Sequence, residues 1–284
     1  MPGDLSVTAL YTAGVWAWAE LPMAELFASQ ESRRVFRVTN GALDLARLAK
    51  RDVPHLPTTL LHRHAMIDHL VRAAAPRAVL ELAAGLSRRG AAFTADPNLD
   101  YTEVDLPPVV AKKRALLERT EAGRAVLDRP GLRLVGADAQ AAPLEPLVRP
   151  GVPLLVVAEG FLVYLAAPAQ RALFARVAAL AKRASEVRWV FDLVPPSEEP
   201  PPGVVGRVLG AALERATGGQ SFAREPRTAA DIVGDLRAAG FTSVETARSE
   251  RAAAAWSLPH PDARTRNVIF ACSTATPFPG HLFS

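Results

Sequence analysis

From residue 78 onward, short and nearly continuous apolar runs alternate with segments whose apolar positions recur every three or four residues. Unbroken apolar runs fit strands buried on both faces, and the segments between them fit helices that cover a sheet. Strands are predicted at 78–82, 101–104, 132–135, 154–158, 187–193, 242–247 and 267–273, with helices at 108–119, 168–182 and 228–239. Pro168 suits a first helical turn, and Gly240 suits a C-terminal stop. Such alternation predicts an α/β fold with a seven-stranded, mostly parallel sheet and helices on both faces. Spacing alone does not set the direction of the last strand.

Two regions depart from this rhythm. Residues 1–75 read as a helical cover, with helices at 9–18, 24–38, 42–48 and 60–73 and with Pro54 and Pro57 as punctuation. Residues 195–227 open on a proline-rich run and then carry Val205, Val208, Leu209 and Leu213 at helical spacing. An ordered piece of that length between a strand and the next helix predicts a lid insert, with a helix over 204–216. The chain 1–284 reads as one domain.

The polar positions matter most where the strands end. Gly85 follows the first strand, Asp105 the second, Asp138 the third and Glu159 the fourth. In an open parallel sheet, ligands bind outside the carboxyl ends of the strands. A turn and several carboxylates around one crevice call for a ligand with hydroxyls, amines or positive charge, and S-adenosylmethionine has all three. The turn lacks a full G-x-G-x-x-G, which disfavours a dinucleotide pyrophosphate and hence NAD. Asp105 follows the turn at the distance expected of an acid that reads ribose hydroxyls. Asp138 suits the adenine amine, and Glu159, so close to an apolar strand, needs a cationic partner.

Composition narrows this further. Of the 284 residues, 49% are hydrophobic, enough for a large core, and the formal charge is only +4 with acids and bases interleaved. That is a solvated surface rather than a nucleic-acid footprint. A single cysteine, Cys272, excludes an internal disulfide and a cysteine-based zinc site. No apolar run is long enough to span a bilayer, and no signal peptide is evident, so a cytoplasmic protein is expected.

Other candidates cluster near the first strand. Arg63 suits a bidentate bond to a carboxylate. His62 and His64 beside it, with His69, lack metal-site spacing and fit a helix surface or a catalytic base. Tyr164 either reaches the reacting centre or packs as a ring. Tyr11 and Trp16, which share a helix with Trp18, either pack on the sheet or line the acceptor side. Arg88 is placed to pair with an acidic acceptor.

Together these residues resemble the leucine carboxyl methyltransferase family, in the bacterial branch that includes tetracenomycin-type polyketide O-methyltransferases. The motifs are Arg63-x-x-x-Ile-Asp68, Glu81-Leu-Ala-Ala-Gly-Leu86, Tyr101-Thr-Glu-Val-Asp-Leu-Pro107, Gly136-Ala-Asp138 and Ala158-Glu-Gly-Phe-Leu-Val-Tyr-Leu165. The resemblance implies a Rossmann-like class I methyltransferase domain that uses S-adenosylmethionine, releases S-adenosylhomocysteine and needs no metal. It implies that Arg63 binds the cofactor carboxylate, Gly85 the methionine portion, Asp105 the ribose, Asp138 with Ala139 the adenine and Glu159 the ammonium. Glu81 and Leu106 belong to the same set. The expected activity is O-methylation of a small-molecule carboxylate, phenol or hydroxyl in polyketide or other secondary metabolism. The alternatives are S- or N-methylation of a small metabolite, or S-adenosylmethionine binding without catalysis. A phenol requires a base, for which His62, His64 and Tyr164 are nearest; a carboxylate does not. The chain departs from the family in having Ala83-Ala84 where a glycine-richer turn is usual, and His69 where a second acid often follows Asp68.

Overall fold

The computed structural model describes residues 7–49, 55–195, 227–263, 265–279 and 283. Seven strands form one sheet: β1 (Ala78–Leu82), β2 (Asp100–Asp105), β3 (Leu132–Gly136), β4 (Leu154–Ala158), β5 (Val187–Asp192), β6 (Ser243–Arg248) and β7 (Val268–Ser273). Their order is β3-β2-β1-β4-β5-β7-β6. β1 to β5 pair in parallel, and β7 lies antiparallel between β5 and β6. β1 and β4 are buried at every position, which is why they read as unbroken apolar runs.

Helices α1 (Val7–Trp18), α2 (Gln30–Ala49) and α3 (Leu56–Ala74) precede the sheet. Between strands lie α4 (Arg89–Phe93), α5 (Pro107–Glu118), α6 (Glu121–Leu127), α7 (Ala167–Ala179), α8 (Ala229–Ala239) and α9 (Ser249–Ala255). One face of the sheet packs Leu80, Val156, Trp189 and Phe270 against Phe174 of α7 and Leu236 of α8. The other packs Val79, Val157, Val190 and Ile269 against Ile67 and Leu70 of α3 and Ala252 of α9. Pro168 sits in the first turn of α7, and Gly240 ends α8 at φ 115°, so both punctuation residues act as expected. No helix among the described residues is long and apolar enough to cross a membrane.

The predicted helices 24–38 and 42–48 differ from what forms. A single 3-10 turn, Ala24–Leu26, is followed by one continuous α2. Gly41, between the two predicted pieces, has open space where a Cβ would sit, so nothing packs there to force a break. An isolated glycine in an exposed helix costs only about 1 kcal/mol. Of the 195–227 lid insert, only Pro195 and Arg227 are among the described residues; its helix at 204–216 lies outside them.

Candidate cofactor-binding site

The chain runs outward from β1 through β2 to β3, then crosses back to place β4 beside β1. That reversal is the topological switch point at which open α/β sheets bind ligands. The turn after β1 carries Ala83 at φ 53° and Gly85 at φ 52°. The Gly85 N–H donates to Asp105 Oδ2 at 2.6 Å, and the Leu106 N–H donates to Oδ1 at 2.7 Å. Asp105 therefore ties the first turn to the second, and each oxygen retains a lone pair. Burial raises its pKa, with the two N–H bonds opposing. Leu106 beside it is 46% exposed, an apolar floor next to a carboxylate.

After β3, Asp138 accepts from the Gln140 N–H at 2.9 Å, while its carbonyl accepts from Ala141 and Ala142. Arg176 of α7 holds this turn by donating to the Gln140 and Ala142 carbonyls. Ala139 is buried and Asp138 exposed.

A buried ionic network occupies the region between β1, β4 and β5. Glu159, just past β4, accepts from Arg63 Nε at 3.0 Å and pairs with Arg89 Nη2 at 2.6 Å. His64 Nδ1 lies 2.9 Å from Glu159 Oε2. Burial would push the Glu159 carboxyl up, but Arg89, His64 and Arg63 outweigh it and hold it well below the usual range. Arg63 Nη1 reaches Asp192 Oδ2 at 3.3 Å, and Asp192 Oδ1 accepts from the Gly160 N–H at 2.5 Å. Gly160 is at φ 64°, and a Cβ there would lie 3.2 Å from the Arg63 guanidinium.

Asp192 ends β5 as the other acids end their strands, yet it was not singled out from the sequence. The signal was present in the predicted strand 187–193, which carries it next to last. Arg89 was also missed. It is fully buried and donates to Asp68 at 2.7 Å and Glu81 at 3.1 Å besides pairing with Glu159. Two arginines at a helix start oppose the helix dipole, and that mismatch points to specific carboxylate partners.

The other candidates divide. Glu81 is 1% exposed, its oxygens taken by Arg89 and by the Tyr101 hydroxyl at 2.8 Å, so it supports the crevice from beneath. Arg88 is buried against Asp68. His62 is 0% exposed; its Nε2 meets the Pro259 carbonyl at 2.6 Å, and its Nδ1 meets the Thr265 hydroxyl at 2.7 Å. A carbonyl only accepts, so Nε2 bears the proton and Nδ1 accepts; neither nitrogen remains for catalysis. His64 stacks on Trp16 with ring centroids 4.1 Å apart, and its Nε2 makes no hydrogen bond among the described residues. Burial, then Arg89, lowers its pKa, so the ring is neutral. Tyr11 is buried and donates to Asn40 at 2.8 Å. Tyr164 lies 3.4 Å from the Thr8 hydroxyl, and Ala9 faces the Gly85 turn. The first turn of α1 thus lies over the crevice between Gly85 and Tyr164.

Residues 18–178 match the model of the leucine carboxyl methyltransferase family. The chain belongs to that family. No curated protein matches it significantly. Among solved structures it is similar to a Nostoc punctiforme protein assigned as an O-methyltransferase, at 17% identity and a TM-score of 0.51 over 76% of this chain. An O-methyltransferase family protein from Burkholderia thailandensis gives 15% identity and a TM-score of 0.51 over 95% of this chain and 72% of its own. At these identities the likeness is one of fold. The chain spans 57% of the Nostoc protein. Within the leucine carboxyl methyltransferase frame, the alanine at 83 adopts a backbone conformation that glycine adopts freely. His69 stacks on Trp256, with centroids 4.5 Å apart.

Proposed function

We propose that the chain is a cytoplasmic S-adenosylmethionine-dependent methyltransferase that methylates oxygen on a small-molecule carboxylate, phenol or hydroxyl, in polyketide or related secondary metabolism. In this reading residues 1–284 act as one domain, with α1 to α3 as its cover. The charge of the crevice carries the proposal. Arg63, Arg88 and Arg89 face Asp68, Glu81, Glu159 and Asp192. A fourth guanidinium, the solvent-exposed Arg72, lies 3.7 Å from Asp68 Oδ2, so only among the buried groups do three guanidinium groups meet four carboxylates. A ligand that brings ammonium and sulfonium charge offsets that excess.

The residues present fit such a ligand. A guanidinium has five N–H groups; Glu159 and Asp192 take two from Arg63, and the remainder suit a carboxylate. Glu159, held ionised, suits the ammonium. Asp105 keeps lone pairs for the ribose hydroxyls, Leu106 offers an apolar surface, and Asp138 with Ala139 suits the adenine. When bound, S-adenosylmethionine supplies a methyl group on a positively charged sulfur. The protein contributes orientation and, through α1, exclusion of water. For a phenolic acceptor, His64 is the base of choice because burial and Arg89 keep its ring neutral and its buried Nε2, 3.9 Å from Asp68 Oδ1, makes no hydrogen bond. Calorimetric titration of the full chain with S-adenosylmethionine and with NADH tests the reading. Binding of the first and not the second is expected; the reverse overturns it.

A further inference from the structure

Two acids at adjacent strand ends share one arginine. β4 and β5 pair in parallel with Ala158 opposite Phe191. Glu159 and Asp192, each one residue further on, therefore end their strands side by side, about 4.8 Å apart at the backbone. Their side chains, 8% and 10% exposed, take different corners of the Arg63 guanidinium. Glu159 meets Nε at 3.0 Å, and Asp192 meets Nη1 at 3.3 Å. Glu159 also meets Arg89 and His64, whereas Asp192 gives its other oxygen to the Gly160 N–H, at 2.5 Å.

Gly160 completes the arrangement. A Cβ on it would lie 3.2 Å from Nη2 and 3.3 Å from Nη1 of Arg63, but 3.5 Å from Cζ. A point nearer both Nη atoms than the carbon between them lies off the Nη edge of the guanidinium. That edge is a fork with which arginine grips a carboxylate in two parallel hydrogen bonds. The absent side chain leaves the fork open, and φ 64° is a conformation that glycine adopts freely. Because Asp192 holds the Gly160 N–H as well as Nη1, one carboxylate fixes both the arginine and the backbone beside its fork.

We infer that Asp192 is a positioning residue: with Gly160 it aims the open fork of Arg63 at the carboxylate of the ligand's amino-acid end, without touching the ligand itself. The inference rests on the donor assignment above and extends it to β5, giving Asp192 a role through Arg63 alone. Glu159 does not substitute for it, since its oxygens serve Arg89 and His64 as well as Nε. Asparagine at 192 offers one oxygen where two now serve Arg63 and Gly160, and its amide nitrogen only donates. It therefore frees either the guanidinium or the backbone beside it.

The test is calorimetric titration of the full chain with S-adenosylhomocysteine and with S-adenosyl-3-thiopropylamine, which keeps the amine and lacks the carboxylate. Wild-type protein should bind S-adenosylhomocysteine about tenfold more tightly or better, the worth of a charge-assisted bidentate bond. Asp192→Asn should weaken S-adenosylhomocysteine by about fivefold or more and leave S-adenosyl-3-thiopropylamine unchanged. A direct contact with the ammonium, or general damage to the crevice, weakens both ligands instead. In an Arg63→Ala background, Asp192→Asn should cost S-adenosylhomocysteine nothing further. Gly160→Ala, which places a methyl group against the fork, should show the same carboxylate-selective loss. Thermal unfolding verifies that the variants are folded, and Gly160→Ala decides alone if Asp192→Asn does not fold. Equal losses for the two ligands, no loss in the folded variants, or a further loss in the Arg63→Ala background overturns the inference while the donor assignment stands. Failure of wild-type protein to bind S-adenosylhomocysteine overturns the donor assignment itself, and the inference with it.

Discussion

Ala83 is the residue at which the chain's departure from its family becomes a physical cost. A left-handed conformation disfavours any Cβ by about 1–2 kcal/mol, part of which glycine recovers as backbone entropy lost on folding. Ala83→Gly is therefore expected to stabilise the fold by about 0.5–1 kcal/mol in urea denaturation. Gly85→Ala, at a similar φ, should destabilise it. The binding roles belong to the same scale. Asp105→Ala and Glu159→Ala should each weaken S-adenosylmethionine about tenfold or more, the loss of a charge-assisted hydrogen bond. Unchanged affinity in both folded variants counts against the assignment. Asp105, Asp138 and Glu159 were legible because an acid closing an apolar run stands out. Arg89 was not, because its meaning depends on Asp68, Glu81 and Glu159 converging on it from three different elements. The same holds for His62, whose partners Pro259 and Thr265 lie about two hundred residues away.

Among the elements, β2 and α5 share a feature with a pH signature. Glu103 of β2 and Lys113 of α5 form an ion pair in which both residues are buried, with Lys113 over the Phe27 ring. Burial pushes the Glu103 carboxyl from 4.5 up to about 7, against the opposing pull of Lys113. A carboxyl raised on folding holds its proton more tightly in the folded chain. Its contribution to stability is full below pH 4.5 and is lost as the pH rises toward 7. Lys113→Met removes the counter-charge, so it should cost about 3–5 kcal/mol above pH 7 and clearly less at pH 5. Adding Glu103→Leu should restore most of that loss, as measured by urea denaturation at both pH values. A loss independent of pH contradicts this account. Strand positions were readable to within a residue or two at most ends; β1, β4 and β7 are buried throughout and leave an unbroken apolar signature, whereas β3 and β6 carry exposed positions. The short helices α4, α6 and α9 were not, since one or two turns do not establish a period. α2 was misread because local composition around Gly41 says nothing about whether a neighbour needs the space.

For the whole molecule, one sheet reversal gathers residues from five strand ends into a crevice with more buried acids than bases. Ligand binding to such a site stabilises the folded chain by mass action. S-adenosylmethionine at a hundredfold excess over its Kd should add about 2.7 kcal/mol to unfolding stability, whereas NADH at the same concentration should add nothing. The parallel order of the sheet was legible from alternation, and the antiparallel β7 was not, because the irregular connection before it carries no period. The central claim is that Arg63 and Glu159 read the amino-acid end of the ligand while Asp105 and Asp138 read its nucleoside. Calorimetric comparison of S-adenosylhomocysteine with 5′-methylthioadenosine, both neutral thioethers of which only the second lacks the amino-acid end, tests it on the unaltered protein. S-adenosylhomocysteine should bind at least tenfold more tightly; equal affinities, or no binding of S-adenosylhomocysteine, would contradict the claim.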